Sequence, residues 1–536
     1  MTKPVFNPSE IYKNPFKYLF FLVIGFYLLM YFPYGFEDGD MGSILGISWS
    51  MYKGAFPHTD FVYIKPAFSP YFHSWFFYIS EEYAYLLNRA FYYIQVFTYS
   101  WLAARLLCKM FKMPSKNTLY FIATIGALIS IHNYPPMPWN TIDGLFFTSI
   151  GMTFLFREKT KFWHLLLGAL FVSLAVLCKQ SFFFVPVFIM LYLLVDRKFK
   201  PAGGFVGFGL LFASLFLLIL HQNDALIPFY EQITSFTSGG SLLDTGVKSY
   251  YLAFKFNAIL AVLAGVVILL LKRYLPGDPV FVVLNLLIAT VFVSLYLQER
   301  SFYEVKRSIM QLLFLTSFGY SIFMAFRDRR FLFLLLMLSF AWCASISNGF
   351  NTPIDYSTPI VFALFVACYE ITHFKLGKIP SLFILVIYLG TFFIGYQNVY
   401  MDSKRGELTY AMGDIFPQLK GVRSDEETYS KYSEFKELAS EYDNFTVLPS
   451  VTLGHYLTNT VNPIGVDWVF NHHLSDQLPQ YIEKLEDQDV TVFLEDFESS
   501  INNYEETSLL TVYVRDNWEL IDSGEHFRIY RKPQSQ

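Results

Sequence analysis

Long apolar runs separated by short polar linkers fill residues 1–398. Runs able to cross about 30 Å of hydrocarbon occupy 17–35, 84–108, 117–132, 143–157, 162–178, 181–196, 203–221, 254–271, 279–298, 308–326, 331–347, 358–373 and 380–398. The pattern predicts a polytopic α-helical membrane protein with about 13 transmembrane helices. The first run lacks a small-residue cleavage site and reads as a retained anchor. Most linkers are terse, but three outer ones are long, 36–83, 222–253 and 299–307 with its flanks. In the first, DMGSILGISWSMYKG spaces Met41, Ile44, Leu45, Trp49 and Tyr52 as on one helix face. That spacing predicts an amphipathic helix lying at the membrane surface, with Asp40 as N-cap and Gly54 just past its end.

From residue 399 the periodicity changes. YSKYSEFKELASEYD has a helical period, NFTVLPS and DVTVFLEDF read as short strands, and WELIDSGEHFRIYRK reads as a hairpin turning at Ser523-Gly524. The expected organisation is a membrane domain over 1–398 and a small soluble α/β domain over 399–536, long enough to bury its own core.

Composition agrees: 54% hydrophobic and 20% aromatic residues with a mean hydropathy of +0.37 exclude an ordinary soluble protein. Cys108, Cys178, Cys343 and Cys368 sit in apolar segments without paired spacing, so no disulfide framework or zinc site is suggested. One set of alternate linkers holds 19 basic residues and the opposite set eight, which places the N-terminus in the cytoplasm and everything after 398 outside. The last 138 residues are acidic, with 25 acids against 11 bases. Membrane lipids are expected partners and nucleic acid is not.

Function is expected at the outer linkers, where the chemistry-bearing residues collect. Glu37, Asp38 and Asp40 follow directly on the first apolar helix, with His58, Asp60 and Lys65 after them. Carboxylates at this height suit proton abstraction at the membrane interface; an isolated Asp before a helix is otherwise a cap. Lys179, in a very short outer linker, runs against the positive-inside bias and can face a phosphate or snorkel to headgroups. Arg300, Lys306 and Arg307 form a second basic cluster able to pair with phosphate or to face lipid headgroups. Asp143 can equally cap its own helix. His472 and His473 lack the spaced third ligand that a metal site needs.

The pattern Asp40, Gly42, Leu45, Gly54, Pro57, Asp60, Lys65-Pro66, Pro70, Tyr71 resembles the first outer loop of GT-C class membrane glycosyltransferases, close to bacterial protein mannosyltransferases and aminoarabinose transferases. PMPWNTIDGLFFTSIGMTFLF and LLLGALFVSLAVLCKQSFFFVPV resemble two further segments of that class, and SNGFNTPIDYSTPI and VLPSVTLGHYLTNTVNPIGVDW do so more loosely. KPA stands where many members have Lys-Pro-Pro, and EDGD carries an extra acid. The resemblance implies a polyprenyl-phosphate sugar donor, a glycan, lipid or protein acceptor, and residence in a bacterial inner (plasma) membrane. It implies a first-loop carboxylate as base, Asp40 or Asp38 with the spacing to Gly54 favouring Asp40. It puts Asp143 in the place of the class's second acid, and Lys179 facing the lipid phosphate. Asp40 with Asp38 or Asp143 would be the holders of any Mg²⁺ or Mn²⁺. The alternative from another class is a transporter or flippase for lipid-linked sugar; the scarcity of charge inside the apolar helices speaks against it.

Overall fold

The computed structural model describes residues 13–113, 116–131, 136–235, 244, 246–255, 258–259, 262, 302–346, 355–372, 399, 402–474, 477–495 and 508–533. Every predicted apolar run that falls on described residues is helical. These helices are α1 (Pro15–Met30), α4 (Ala84–Met110), α5 (Lys116–Ile131), α6 (Asn140–Leu155), α7 (Phe162–Val176), α8 (Phe184–Val195), α9 (Phe199–Gln222), α11 (Phe302–Ala325), α12 (Arg330–Ser345) and α13 (Thr358–Thr372). Two helices occupy the long outer linker, α2 (Asp40–Tyr52) and α3 (Phe68–Ile79), and α10 (Leu226–Ser235) follows α9. Among the described residues, α9 is the one helix long and apolar enough to cross a bilayer by itself; several others have 15 or 16 residues. The runs 279–298 and 380–398 and most of 254–271 lie outside the described residues, so the count of about 13 spans is not reached among them.

Aromatic and aliphatic side chains from these helices form one continuous core, including Phe20, Phe97, Ile122, Leu145, Phe182 and Leu334. Edge-on ring pairs such as Phe16 with Phe121, centroids 5.5 Å apart, fix how α1 meets α5. On α9 the apolar side chains point away from the protein: Leu210, Leu211, Leu217 and Leu218 are all exposed. Such a face suits hydrocarbon rather than water.

The C-terminal part is an α/β unit. Its sheet has the order β3-β4-β6-β5, built from β3 (Phe445–Leu448), β4 (Thr491–Glu495), β5 (Glu519–Ser523) and β6 (Phe527–Arg531). β3 and β4 run parallel, and the other pairs are antiparallel. The central strand β4 is buried at every position, as a strand covered on both faces must be. α14 (Glu426–Glu441) covers the sheet and is capped by Asp425, whose carboxylate accepts from the Thr428 N–H at 2.9 Å.

The first outer linker is built into this unit. A two-stranded sheet, β1 (Tyr410–Ala411) with β2 (Arg423–Ser424), is extended by residues 33–35: Gly35 donates to Arg423 O at 2.8 Å and Arg423 donates to Pro33 O at 2.8 Å. Buried Arg89 holds the same backbone from below, donating to Gly35 O and Tyr34 O. A second core joins Met41, Leu45 and Trp49 of α2 to Phe435, Val451, Leu453 and Tyr456.

Expectation and structure differ at α2. It does not lie on the membrane surface with its apolar stripe in lipid; Met41, Ile44, Leu45 and Trp49 are all buried, packed against α3 and the C-terminal unit. Amphipathic spacing marks a face that must be covered, and protein covers this one. Gly42 and Gly46, one turn apart, permit the contact: a Cβ on either would collide with Thr452, and one on Gly46 would lie 3.4 Å from Asp467 Oδ2. Trp49 completes the row by donating its indole N–H to Thr460 O at 2.8 Å. Gly54 ends the helix as the spacing predicts, at φ +106°.

Gly42→Val therefore overpacks this interface and destabilises the docked unit by about 1–3 kcal/mol, measured as faster limited proteolysis after residue 402. Gly25→Ala, where nothing lies within 4 Å of an added Cβ, leaves the digestion pattern as in wild type.

Candidate functional site

The three first-linker acids have different tasks. Glu37 is the helix cap: its carboxylate accepts from the Asp40 and Met41 N–H groups at 2.7 and 2.8 Å, two of the donors that a helix start leaves unsatisfied. Burial, with Asp40 adding to it, pushes the Glu37 carboxyl up to about 8. Asp40 is the first residue of α2 and Gly39 is the N-cap, which corrects the expectation that Asp40 caps the helix. Asp38 turns toward the C-terminal unit, where Tyr432 donates to its carboxylate and Thr452 to its carbonyl. Burial raises Asp38 to about 6, opposed by Lys431, which itself pairs with Glu495. Asp40 remains half-buried at the head of α2, within the electrostatic reach of Lys65.

Two lysines converge opposite α2. Lys65 points its ammonium toward Asn140 Oδ1 at 3.4 Å and over the Trp139 ring at 5.6 Å. Lys179, 8% exposed, donates to Thr141 Oγ1 at 3.1 Å. Both thus rest on the first turn of α6. Asn140 ties the turn together by donating to Tyr63 OH and to Cys178 O, each at 3.0 Å. Gln180 fastens the linker by donating to Ile64 O at 2.5 Å, and Phe68 donates to Leu177 O at 3.1 Å. Burial first and the neighbouring Lys65 charge second push the Lys179 ammonium down to about 7; Asp355 opposes them. Burial lowers Lys65 as well, against the pull of Asp40. Among the described residues neither lysine has a carboxylate within 4 Å, so the pair can take an anion from outside.

Beside them lies an open cleft, walled by Ser43 and Ile47 of α2, by residues 61–65 of the linker with Lys65, and by Asp467 and Trp468 of the C-terminal unit.

The other candidates stand elsewhere. Asp143 is fully buried and caps nothing: both its oxygens lie 3.1 Å from His73 Nε2, and Gln95 donates to it at 2.7 Å. His58, at φ +73°, clips the linker to α10 through Gln232: its Nδ1 is 2.8 Å from Gln232 Oε1, and Gln232 donates back to His58 O at 3.0 Å. Burial lowers His58 to about 4, which keeps it neutral. Asp60 is exposed and accepts from the Phe56 N–H at 2.7 Å. Arg307 lies in α11, and its side chain is outside the described residues, as is Arg300. No group of three or more His, Cys, Asp or Glu placed to hold a metal occurs among the described residues. Asp38 and Asp143, the expected companions of Asp40 for a cation, are engaged by Tyr432 and by His73 with Gln95.

Sequence reasoning missed Asn140, Thr141 and Asp467. The segments WNT and GVDW belong to the stretches that carry the resemblance, yet nothing in linear spacing shows that one seats two ammonium groups and the other faces α2 from some 420 residues away.

No family model and no curated protein matches this chain. Among solved structures it is similar to ArnT from Cupriavidus metallidurans in the apo state, at 10% identity and a TM-score of 0.44, over 97% of this chain and 99% of that one. It is also similar to the archaeal oligosaccharyltransferase AglB from Archaeoglobus fulgidus, solved with an inhibitory peptide and a dolichol-phosphate, at 12% identity and a TM-score of 0.45, over 90% of this chain and 70% of that one. At TM-scores under 0.5, the assignment of a function rests on this chain's own residues.

Anion binding at the lysine pair should depend on pH. Lys179 must be protonated to hold an anion, and its ammonium sits near 7 when the site is empty. Affinity for dioctyl phosphate, a diester that does not titrate in this range, is therefore constant below about pH 7. Above it, affinity falls about tenfold per unit. Lys179→Met flattens the profile and weakens binding at pH 6; a flat wild-type profile would contradict the assignment.

Proposed function

We propose that the chain transfers a sugar from a polyprenyl-phosphate donor to the hydroxyl of a glycan, lipid or protein acceptor at the outer face of a bacterial plasma membrane. The observation that carries this reading is the meeting of two ammonium groups, that of half-buried Lys65 and that of buried Lys179, with the carboxylate of Asp40 at the mouth of a helical membrane core. The first-loop resemblance supports it. A lipid-linked donor keeps its tail in hydrocarbon and its phosphate and sugar at the interface, the level these linkers occupy in the orientation that the basic residues favour.

In the proposed reaction Lys65 and Lys179 hold the donor phosphate. Asp40 takes the acceptor's hydroxyl proton, and the acceptor oxygen attacks the anomeric carbon from the face opposite the phosphate. The carbon–oxygen bond to phosphate breaks, its electron pair leaves with the polyprenyl phosphate, and the two ammonium groups balance the charge that develops there. The anomeric configuration inverts through an oxocarbenium-like state. Glu37 supports Asp40 by satisfying the helix start. Asp38 joins the linker to the C-terminal unit, which lies outside the membrane in this reading.

The test is transfer of labelled sugar from a panel of polyprenyl-phosphate donors by purified protein in lipid, with and without a chelator. Wild type consumes one donor, and Asp40→Asn lowers kcat by roughly 10²–10⁴ while binding the donor as before. Full activity in Asp40→Asn removes the base. Movement of lipid-linked sugar across the bilayer without transfer puts the flippase in its place.

A further inference from the structure

The cleft beside Lys65 has a wall that the proposed chemistry leaves idle. It is supplied by the Gly465–Trp468 turn of the C-terminal unit, which faces Ser43 and Ile47 of α2. Asp467 in that turn is 7% exposed and is aimed by Asn462, whose amide donates to Asp467 Oδ1 at 2.8 Å and to Val466 O at 2.6 Å. Asn462 is itself fixed: its Oδ1 accepts from the Ile464 N–H at 3.0 Å and from Thr446 Oγ1 at 3.2 Å. The other carboxylate oxygen lies near Gly46, 3.4 Å from where a Cβ there would stand. Trp468, half-buried, adds an indole to the same wall.

A cation, an aromatic ring and an oriented carboxyl lining one cleft describe a particular kind of ligand. It is an anion carrying a ring that has both hydroxyl groups and an apolar face. An indole covers the apolar face of such a ring, and a carboxyl bonds to adjacent hydroxyls. We propose that Asp467 and Trp468 hold the sugar ring of the donor, so that the C-terminal unit reads which sugar is presented while the membrane portion holds its phosphate. Burial pushes the Asp467 carboxyl up to about 7, so near neutral pH it can donate as well as accept a hydrogen bond. The inference rests on the donor assignment above and deepens it.

The test uses the full chain in lipid nanodiscs. The probes are polyprenyl phosphoryl mannose, glucose and galactose, with the methyl phosphodiester of the same lipid, which has the phosphate and no sugar. Wild type binds one phosphoryl hexose at least about tenfold more tightly than the methyl diester. In Asp467→Asn and Trp468→Ala that advantage vanishes while the methyl diester binds as in wild type, and Trp468→Phe keeps most of it. A surviving advantage in both variants overturns the proposal. So does equal weakening of every probe, which would mark Asp467 as part of the docking contact alone, and so does a wild type that binds all four probes alike. If wild type binds none of the four, the donor assignment itself has failed, a result distinct from all of these.

Discussion

Two glycines one helical turn apart set the arrangement at the outer end of this protein. Because Gly42 and Gly46 carry no side chain, the backbone of α2 touches the Thr452 turn of the C-terminal unit, and Trp49 closes the row with its bond to Thr460. That close approach orients α2, puts Asp40 at its head toward Lys65, and carries Asp467 to the far wall of the same cleft. Through it the first linker and the C-terminal unit share one core.

Electrostatics explains why the acids crowd together and why the lysines do not pair with them. A carboxylate at the edge of a low-dielectric region is costly unless hydrogen bonds or counter-charges compensate it. Glu37, which burial raises to about 8, stays largely protonated near neutral pH while its oxygens accept two helix N–H groups, and Asp38 is held by Tyr432 near Lys431. The two ammonium groups are compensated mainly by neutral partners, Asn140 and Thr141, and the Lys65 charge lowers the affinity of Lys179 for its proton. A site of that kind is poised electrostatically for an incoming anion. In the proposed reaction the two ammonium groups balance the charge that grows on the departing phosphate.

Much of this was legible in the sequence. Apolar runs marked the long helices of the membrane portion among the described residues, because a run of fifteen or more apolar side chains has few other destinations. The segments read as short strands and the Ser523-Gly524 turn of the C-terminal unit are found as β3, β4 and the β5–β6 hairpin. Lys179 stood out for a simple reason, a lysine on the side of the membrane that disfavours it. Partnership was not legible. The stripe Met41, Ile44, Leu45, Trp49 says that a face must be buried but not whether lipid or protein buries it. An Asp before a helix looks like a cap even when a Glu three residues earlier does the capping. His58 and Asp60 sit close to Lys65 in sequence yet fold into the clip to α10 and an exposed turn, since a linker with two tight turns spreads neighbours apart. Asp143 was distinguished by its place in a motif, and only the fold reveals the His73 and Gln95 that surround it.

Lys65, Lys179 and Asp40 are assigned to one site for a lipid-linked phosphate and its sugar, and a cryo-EM structure of the chain in lipid with a non-transferable polyprenyl phosphoryl sugar bound would decide it. The assignment predicts the phosphate within hydrogen-bonding distance of both lysine ammonium groups, the anomeric carbon facing Asp40 and the ring in the cleft toward Asp467. A phosphate seated instead near Lys306 and Arg307, or a sugar directed away from α2, would be incompatible with it.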